Sequence, residues 1–116
     1  MSSYKELVKS FLPEGILDYF EPTDLKKEGD QLRLYLEEQN IIPEEYKDIH
    51  YRANGFLDEI KVKDFPIRDL FVTLHIKRRR WLLVESNKKI TRDWTLVAPG
   101  TRLTEEFSGF LKETHR

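Results

Sequence analysis

At 116 residues the chain has the length of one domain and can bury a single core. It contains no Cys, which excludes disulfides, thiolate zinc sites and thiol nucleophiles. No apolar run is long enough to span a bilayer and no basic-then-apolar leader opens the chain, so a soluble, cytoplasmic protein without a membrane partner is expected. The net charge of −1 conceals an uneven split, because residues 1–60 carry 7 Lys+Arg against 14 Asp+Glu while residues 61–116 carry 13 against 7. A concentrated basic zone attracts polyanions, and nucleic acid is the leading partner class on that ground.

In chain order, Ser3 and Glu6 stand at capping-box spacing ahead of Leu7, Val8, Phe11 and Leu12, which predicts a short N-terminal helix ended by Pro13 and Gly15. A strand is expected from Ile16 to Leu25, then a turn at Glu28-Gly29-Asp30. Leu32, Leu34 and Leu36 alternate with polar residues and form the return strand of a hairpin. The acidic segment from Glu37 to Asp48, followed by irregular sequence through Asn54-Gly55, reads as a loop with room for one helical turn. Ile60 and Val62 share one face of a third strand that Pro66 should interrupt. Period two then runs from Leu70 through Ile76 to Trp81 as one long strand. Ser86-Asn87 signals a turn, and Ile90, Trp94 and Leu96 fit a return strand that brings Arg92 beside the arginine run. Thr101 then caps an amphipathic C-terminal helix carrying Leu103, Phe107, Phe110 and Leu111. The expected fold class is α+β, residues 1–116 forming one domain in which a mainly antiparallel sheet of β-hairpins has one helix at each end.

The strongest constellation lies near the tip of that last hairpin, where Lys77, Arg78, Arg79, Arg80, Lys88, Lys89 and Arg92 face only Glu85. Two-stranded ribbons fit a major groove, and Arg donates two parallel hydrogen bonds to phosphate or guanine. Trp81 has two readings, stacking on a base or packing within the hairpin against Trp94 as a shelf for the arginines, and packing is the preferred one. Thr101 and Arg102 have the pattern of a phosphate-binding helix start, although a plain N-cap explains the Thr more simply. Enzyme chemistry lacks a signature. His50, His75 and His115 stand at no metal-ligand spacing, and neither a Gly-rich phosphate loop nor a nucleophile elbow is present.

The run Val62-Lys-Asp-Phe-Pro-Ile-Arg-Asp-Leu-Phe-Val-Thr-Leu-His-Ile-Lys-Arg-Arg-Arg-Trp81, followed by Ile90-Thr-Arg-Asp-Trp-Thr-Leu-Val-Ala-Pro-Gly-Thr-Arg-Leu-Thr-Glu-Glu-Phe107, resembles the N-terminal region of ISAon-type insertion-sequence transposases. Leu12-Pro-Glu-Gly-Ile-Leu-Asp-Tyr-Phe20 and Leu34-Tyr-Leu-Glu-Glu38 look like the start of the same family. A more distant likeness is to the zinc-ribbon N-termini of a larger transposase superfamily, whose paired cysteines are missing here, so zinc binding is not carried over. The resemblance implies a non-catalytic module that binds the double-stranded DNA of the element's ends. Its partner would be a catalytic transposase region or subunit, and the acidic triad of that region is expected to be absent from this chain. The positions it carries over are Lys77 to Arg80 and Arg102 to Thr104. No cofactor or metal is expected. A competing expectation is a protein-interaction module whose acidic half docks on the catalytic subunit or on a second copy of the chain, giving a homo-oligomer. A stand-alone accessory enzyme would need a converged polar pocket that the sequence does not announce.

Overall fold

A computed structural model describes residue 12, residues 15–67 and residues 70–94. The helices expected at the two ends of the chain, together with Arg102, lie outside the described residues. Within them the fold is mostly β, with two sheets and two single-turn 3₁₀ segments, Ile16–Asp18 and Glu44–Tyr46. The strands are β1 (Phe20–Glu28), β2 (Gln31–Glu38), β3 (Tyr51–Phe56), β4 (Ile60–Ile67), β5 (Leu70–Lys77), β6 (Arg79–Leu83) and β7 (Lys88–Thr91). The larger sheet has the order β1-β2-β5-β4 and the smaller one β3-β6-β7. Among the described residues no helix is long and apolar enough to cross a membrane.

The larger sheet is two antiparallel hairpins laid side by side. β1 turns into β2 through Gly29-Asp30, with Gly29 at φ 62°, a conformation that costs a residue bearing a Cβ. β4 and β5 form the second antiparallel pair. The two hairpins join through β2 and β5, which run parallel, with Leu32 beside Val72, Leu34 beside Leu74 and Leu36 beside Ile76. Among the described strands this is the one parallel junction beside four antiparallel pairings, so the β structure is mainly antiparallel, as expected. Alternation along a strand says which face is apolar, not which way its neighbour runs. All six residues at the join are at most 1% exposed, and each buried side chain of this size contributes roughly 1.5–3 kcal/mol. Ile16, Phe20, Ile60, Val62 and Trp94 complete that core.

Three expectations about the elements are corrected. The strand predicted from Ile16 begins at Phe20, because Ile16–Asp18 forms a 3₁₀ turn after Gly15, which sits at φ 90°. Residues 51–56, expected to be irregular, form β3, and the Asn54-Gly55 turn signal is instead a bulge between Ala53 and Phe56 with Gly55 at φ 76°. Pro66 does not end β4. It pairs opposite Phe71 on an edge strand, where its missing N–H is tolerated.

The long strand predicted from Leu70 to Trp81 is two strands in different sheets. β5 stops at Lys77, and β6 starts at Arg79 and pairs with β3 and β7. The crossing residue, Arg78, is 2% exposed, and its carbonyl accepts the Leu57 N–H at 2.8 Å. β7 therefore returns along β6, not along β5, and ends at Thr91, short of the predicted return to Leu96. The turn between β6 and β7 closes with the Asn87 N–H donated to the Leu83 carbonyl at 2.8 Å, Asn87 taking φ 61°.

Candidate nucleic-acid interface

The basic run has two fates, and Glu38 decides which side chain has which. Glu38 ends β2 on its apolar face and is 1% exposed, so its carboxylate must be satisfied from within. Its Oε1 accepts the Arg79 backbone N–H at 2.8 Å, its Oε2 accepts the Arg92 Nε–H at 2.8 Å, and its carbonyl accepts the Arg79 Nε–H at 3.1 Å. Arg92 also donates to the Ile41 carbonyl, and its guanidinium stands 5.0 Å from the Tyr19 ring, 5.7 Å from Trp81 and 5.8 Å from Trp94. One buried carboxylate thus ties the end of β2 in the larger sheet to the start of β6 and the end of β7 in the smaller one. Burial pushes the Glu38 carboxyl above its ordinary value, while the Arg79 amide and Arg92 pull against it. Burial likewise lowers the Arg78 guanidinium from its usual range, against the attraction of Glu38 and Asp58.

Arg79 and Arg92 therefore fasten the sheets to each other through Glu38, and Arg78 is buried at the crossing between them. Arg79 is half-buried and lies 4.6 Å from the ring of Phe56, which Lys77 also overhangs at 5.9 Å. Trp81 is fully buried, donates its Nε1–H to Asn40 Oδ1 at 2.8 Å and packs with Leu83 and Ile90. Trp94 belongs to the other core, stacked on Phe20 at 5.4 Å and edge-on to Tyr19. The two Trp residues share the Arg92 guanidinium between them and do not pack across a hairpin as expected. A base-stacking role for Trp81 is excluded by its burial.

What remains at the surface is gathered on the outer face of the smaller sheet. The pairing register sets Arg52 opposite Leu82 and Leu82 opposite Lys89, with Arg80 opposite Thr91 in the next row. Directly opposed residues point to the same side, so Arg52, Arg80 and Lys89 share one face, and the Trp81 face lies on the other side. Arg52 and Lys89 are exposed, and Arg80 is half-buried. The Arg80 Nε–H is donated to the Asn54 carbonyl at 3.1 Å, which anchors the guanidinium fork at the β3 bulge. A Cβ on Gly55 would stand 3.2 Å from Arg80 Nη2, so the bulge glycine leaves room for this fork. Lys88, opposite Leu83, is exposed on the other side of the ribbon, and Lys77 is exposed at the end of β5 in the larger sheet. No carboxylate occurs in the register among these residues, and Glu85, in the turn, is 3.4 Å from His50.

Arg52 is the member that sequence reasoning missed, because it falls in the segment read as irregular. The signal that would have found it is the Tyr51-Arg-Ala-Asn-Gly-Phe56 run itself, a short strand carrying a turn-like dipeptide as its bulge. Within the acidic half, Glu38 is internal and Glu37 half-buried, while Glu44, Glu45 and Asp48 stay exposed. Among the described residues no three His, Asp or Glu side chains converge as a metal site.

No protein-family model, curated protein or solved structure matches the chain. The reading of function rests on the residues and their geometry.

Proposed function

We propose that the chain is a non-catalytic DNA-binding module that meets the phosphate backbone with the outer face of β3, β6 and β7. The observation that carries this is the register placing Arg52, Arg80 and Lys89 together on one antiparallel face with no carboxylate among them. Arg80 presents a fixed fork suited to two parallel hydrogen bonds, and Arg52 and Lys89 supply charge around it. The edge ribbon β6–β7 has a width that a major groove admits. Compared with the seven-residue cluster expected from sequence, this face loses Lys77, Arg78, Arg79, Lys88 and Arg92, keeps Arg80 and Lys89, and gains Arg52, while Trp81, expected beside the cluster, is buried.

In this proposal the DNA is the end of an insertion sequence and the partner is a catalytic transposase region, a context that the motif resemblance alone supplies. The test is anisotropy of labelled duplexes, comparing an element's terminal repeats with a scrambled duplex at two salt concentrations. Preference for the repeats supports end recognition, equal affinity reduces the module to a general DNA clamp, and no binding at low salt refutes the DNA reading.

A further inference from the structure

The outer face of the four-stranded sheet carries a second polar construction that the DNA-binding face does not use. His75 is 4% exposed on β5, a position where an apolar side chain would avoid the cost of burying two ring nitrogens. Both nitrogens are engaged, with Nε2 3.1 Å from Arg33 Nη1 and Nδ1 2.8 Å from Glu59 Oε2. A guanidinium can only donate, so Nε2 accepts from Arg33 and the Nδ1–H is donated to Glu59. The relay Glu59–His75–Arg33 thereby holds an exposed arginine in one place.

Lys26 lies directly opposite Arg33 in the β1–β2 register. Its Nζ is 5.2 Å from the centre of the Tyr35 ring, which itself stacks on His75 at 4.3 Å with only 16° between the planes. Like charges directly opposed weaken a strand pair, yet here two are fixed side by side. They border an open groove lined by Lys26, Lys27, Glu28, Gln31, Arg33 and Tyr35, three cations to one carboxylate. Three other carboxylates nearby are already engaged, Glu59 by His75, Asp24 by the Leu25 N–H at 2.8 Å and Asp30 by one Gln31 Nε2–H at 3.4 Å. Fixed cations on a surface, supported from below by a buried polar relay, do nothing for the core, and local rules broken in this way mark binding sites.

We propose that this groove binds a phosphate group, with Arg33 and Lys26 as its direct ligands, Gln31 as an additional donor, and His75 with Glu59 as positioning residues for Arg33. With Nη1 engaged by His75, Arg33 keeps Nε–H and Nη2 donors for two phosphate oxygens, and Lys26 supplies a point charge from the adjacent strand. The site is separate from the Arg52, Arg80 and Lys89 face and does not depend on the DNA reading. Its phosphate has two sources, a small phosphomonoester or the terminal phosphate of a nucleic-acid strand.

The experiment is an NMR titration of the full chain with inorganic phosphate, then with a short oligonucleotide carrying either a 5′-phosphate or a 5′-hydroxyl. Saturable shifts of the Lys26, Arg33 and Tyr35 amides are expected. Arg33→Gln should weaken phosphate binding at least about tenfold, the equivalent of one lost charge-assisted hydrogen bond, and Arg52→Ala with Lys89→Ala should leave it unchanged. Positioning is read separately. In Glu59→Gln the Arg33 Nε–H signal should broaden, while the backbone spectrum keeps its dispersion. Tighter binding of the 5′-phosphorylated oligonucleotide than of inorganic phosphate assigns the site to a strand end, and equal binding assigns it to a small phosphomonoester. Phosphate binding that is absent, that survives Arg33→Gln, or that disappears only in the Arg52/Lys89 double variant overturns the proposal.

Discussion

Removing the Glu38 side chain as Glu38→Ala is the perturbation that asks most of this fold. The carboxylate is 1% exposed and satisfies the Arg79 backbone N–H and the Arg92 Nε–H, both at 2.8 Å. Arg92 is itself only 8% exposed, so the variant leaves a buried guanidinium without its counter-charge. Breaking one side of a buried pair costs about 3–5 kcal/mol, whereas replacing both partners by apolar groups is often neutral. Against a total stability of roughly 5–15 kcal/mol for a domain of this size, that loss is a large fraction. Urea denaturation followed by tryptophan fluorescence reads it directly, since Trp81 and Trp94 flank Arg92. With a slope of about 2 kcal/mol per molar urea, the midpoint should fall by about 2 M. Much of the loss should be recovered in the double variant Glu38→Met with Arg92→Met. A midpoint within about 0.3 M of wild type for Glu38→Ala would refute the view that this carboxylate fastens the two sheets.

Other consequences can be measured on the same protein. Because burial raises the folded-state value of Glu38 above its ordinary 4.5, the native state holds the proton more tightly than the unfolded chain, so ionising Glu38 costs stability as pH rises from there. The stability of wild type minus that of Glu38→Gln should therefore decline from about pH 4.5 towards neutrality, and urea midpoints that show it rising contradict the assignment. Gly55→Ala should destabilise by about 1–2 kcal/mol, since φ 76° disfavours a Cβ, and should weaken DNA binding by displacing the Arg80 fork. Thermal melts and anisotropy check the two effects separately. Arg80→Lys should keep the salt dependence of DNA binding and lose affinity, because the charge stays while the fork geometry goes. Unchanged affinity would remove Arg80 as a fixed contact.

The alternating leucines of β2 and the Leu70 to Ile76 run disclosed the core strands, because period two and burial are the same fact seen in sequence and in space. Three matters were hidden for physical reasons. The direction of β2 against β5 leaves no trace in alternation. The break at Arg78 was masked because the alternation does not stop there, so a strand that changes sheets looks like one that continues. The division of the arginines was hidden too. A run of positive charge in sequence gives no hint that a single buried glutamate some forty residues earlier, Glu38, draws Arg79 and Arg92 inward. Lys88 and Lys89 stayed legible as exposed cations because they open the strand that follows the Ser86-Asn87 turn signal. Arg52 did not, because Asn54-Gly55 reads as a chain reversal and serves here as a bulge.

The central claim is that DNA meets the outer face of β3, β6 and β7. Its most direct test is the salt dependence of duplex affinity for wild type and for the folded Arg52→Ala, Lys89→Ala variant. Three phosphate contacts give a slope of about −2.7 in log affinity against log salt, and removing two of them should bring it to about −0.9 with a large loss of affinity at low salt. The same slope and affinity in both proteins would place the contact elsewhere and contradict the account.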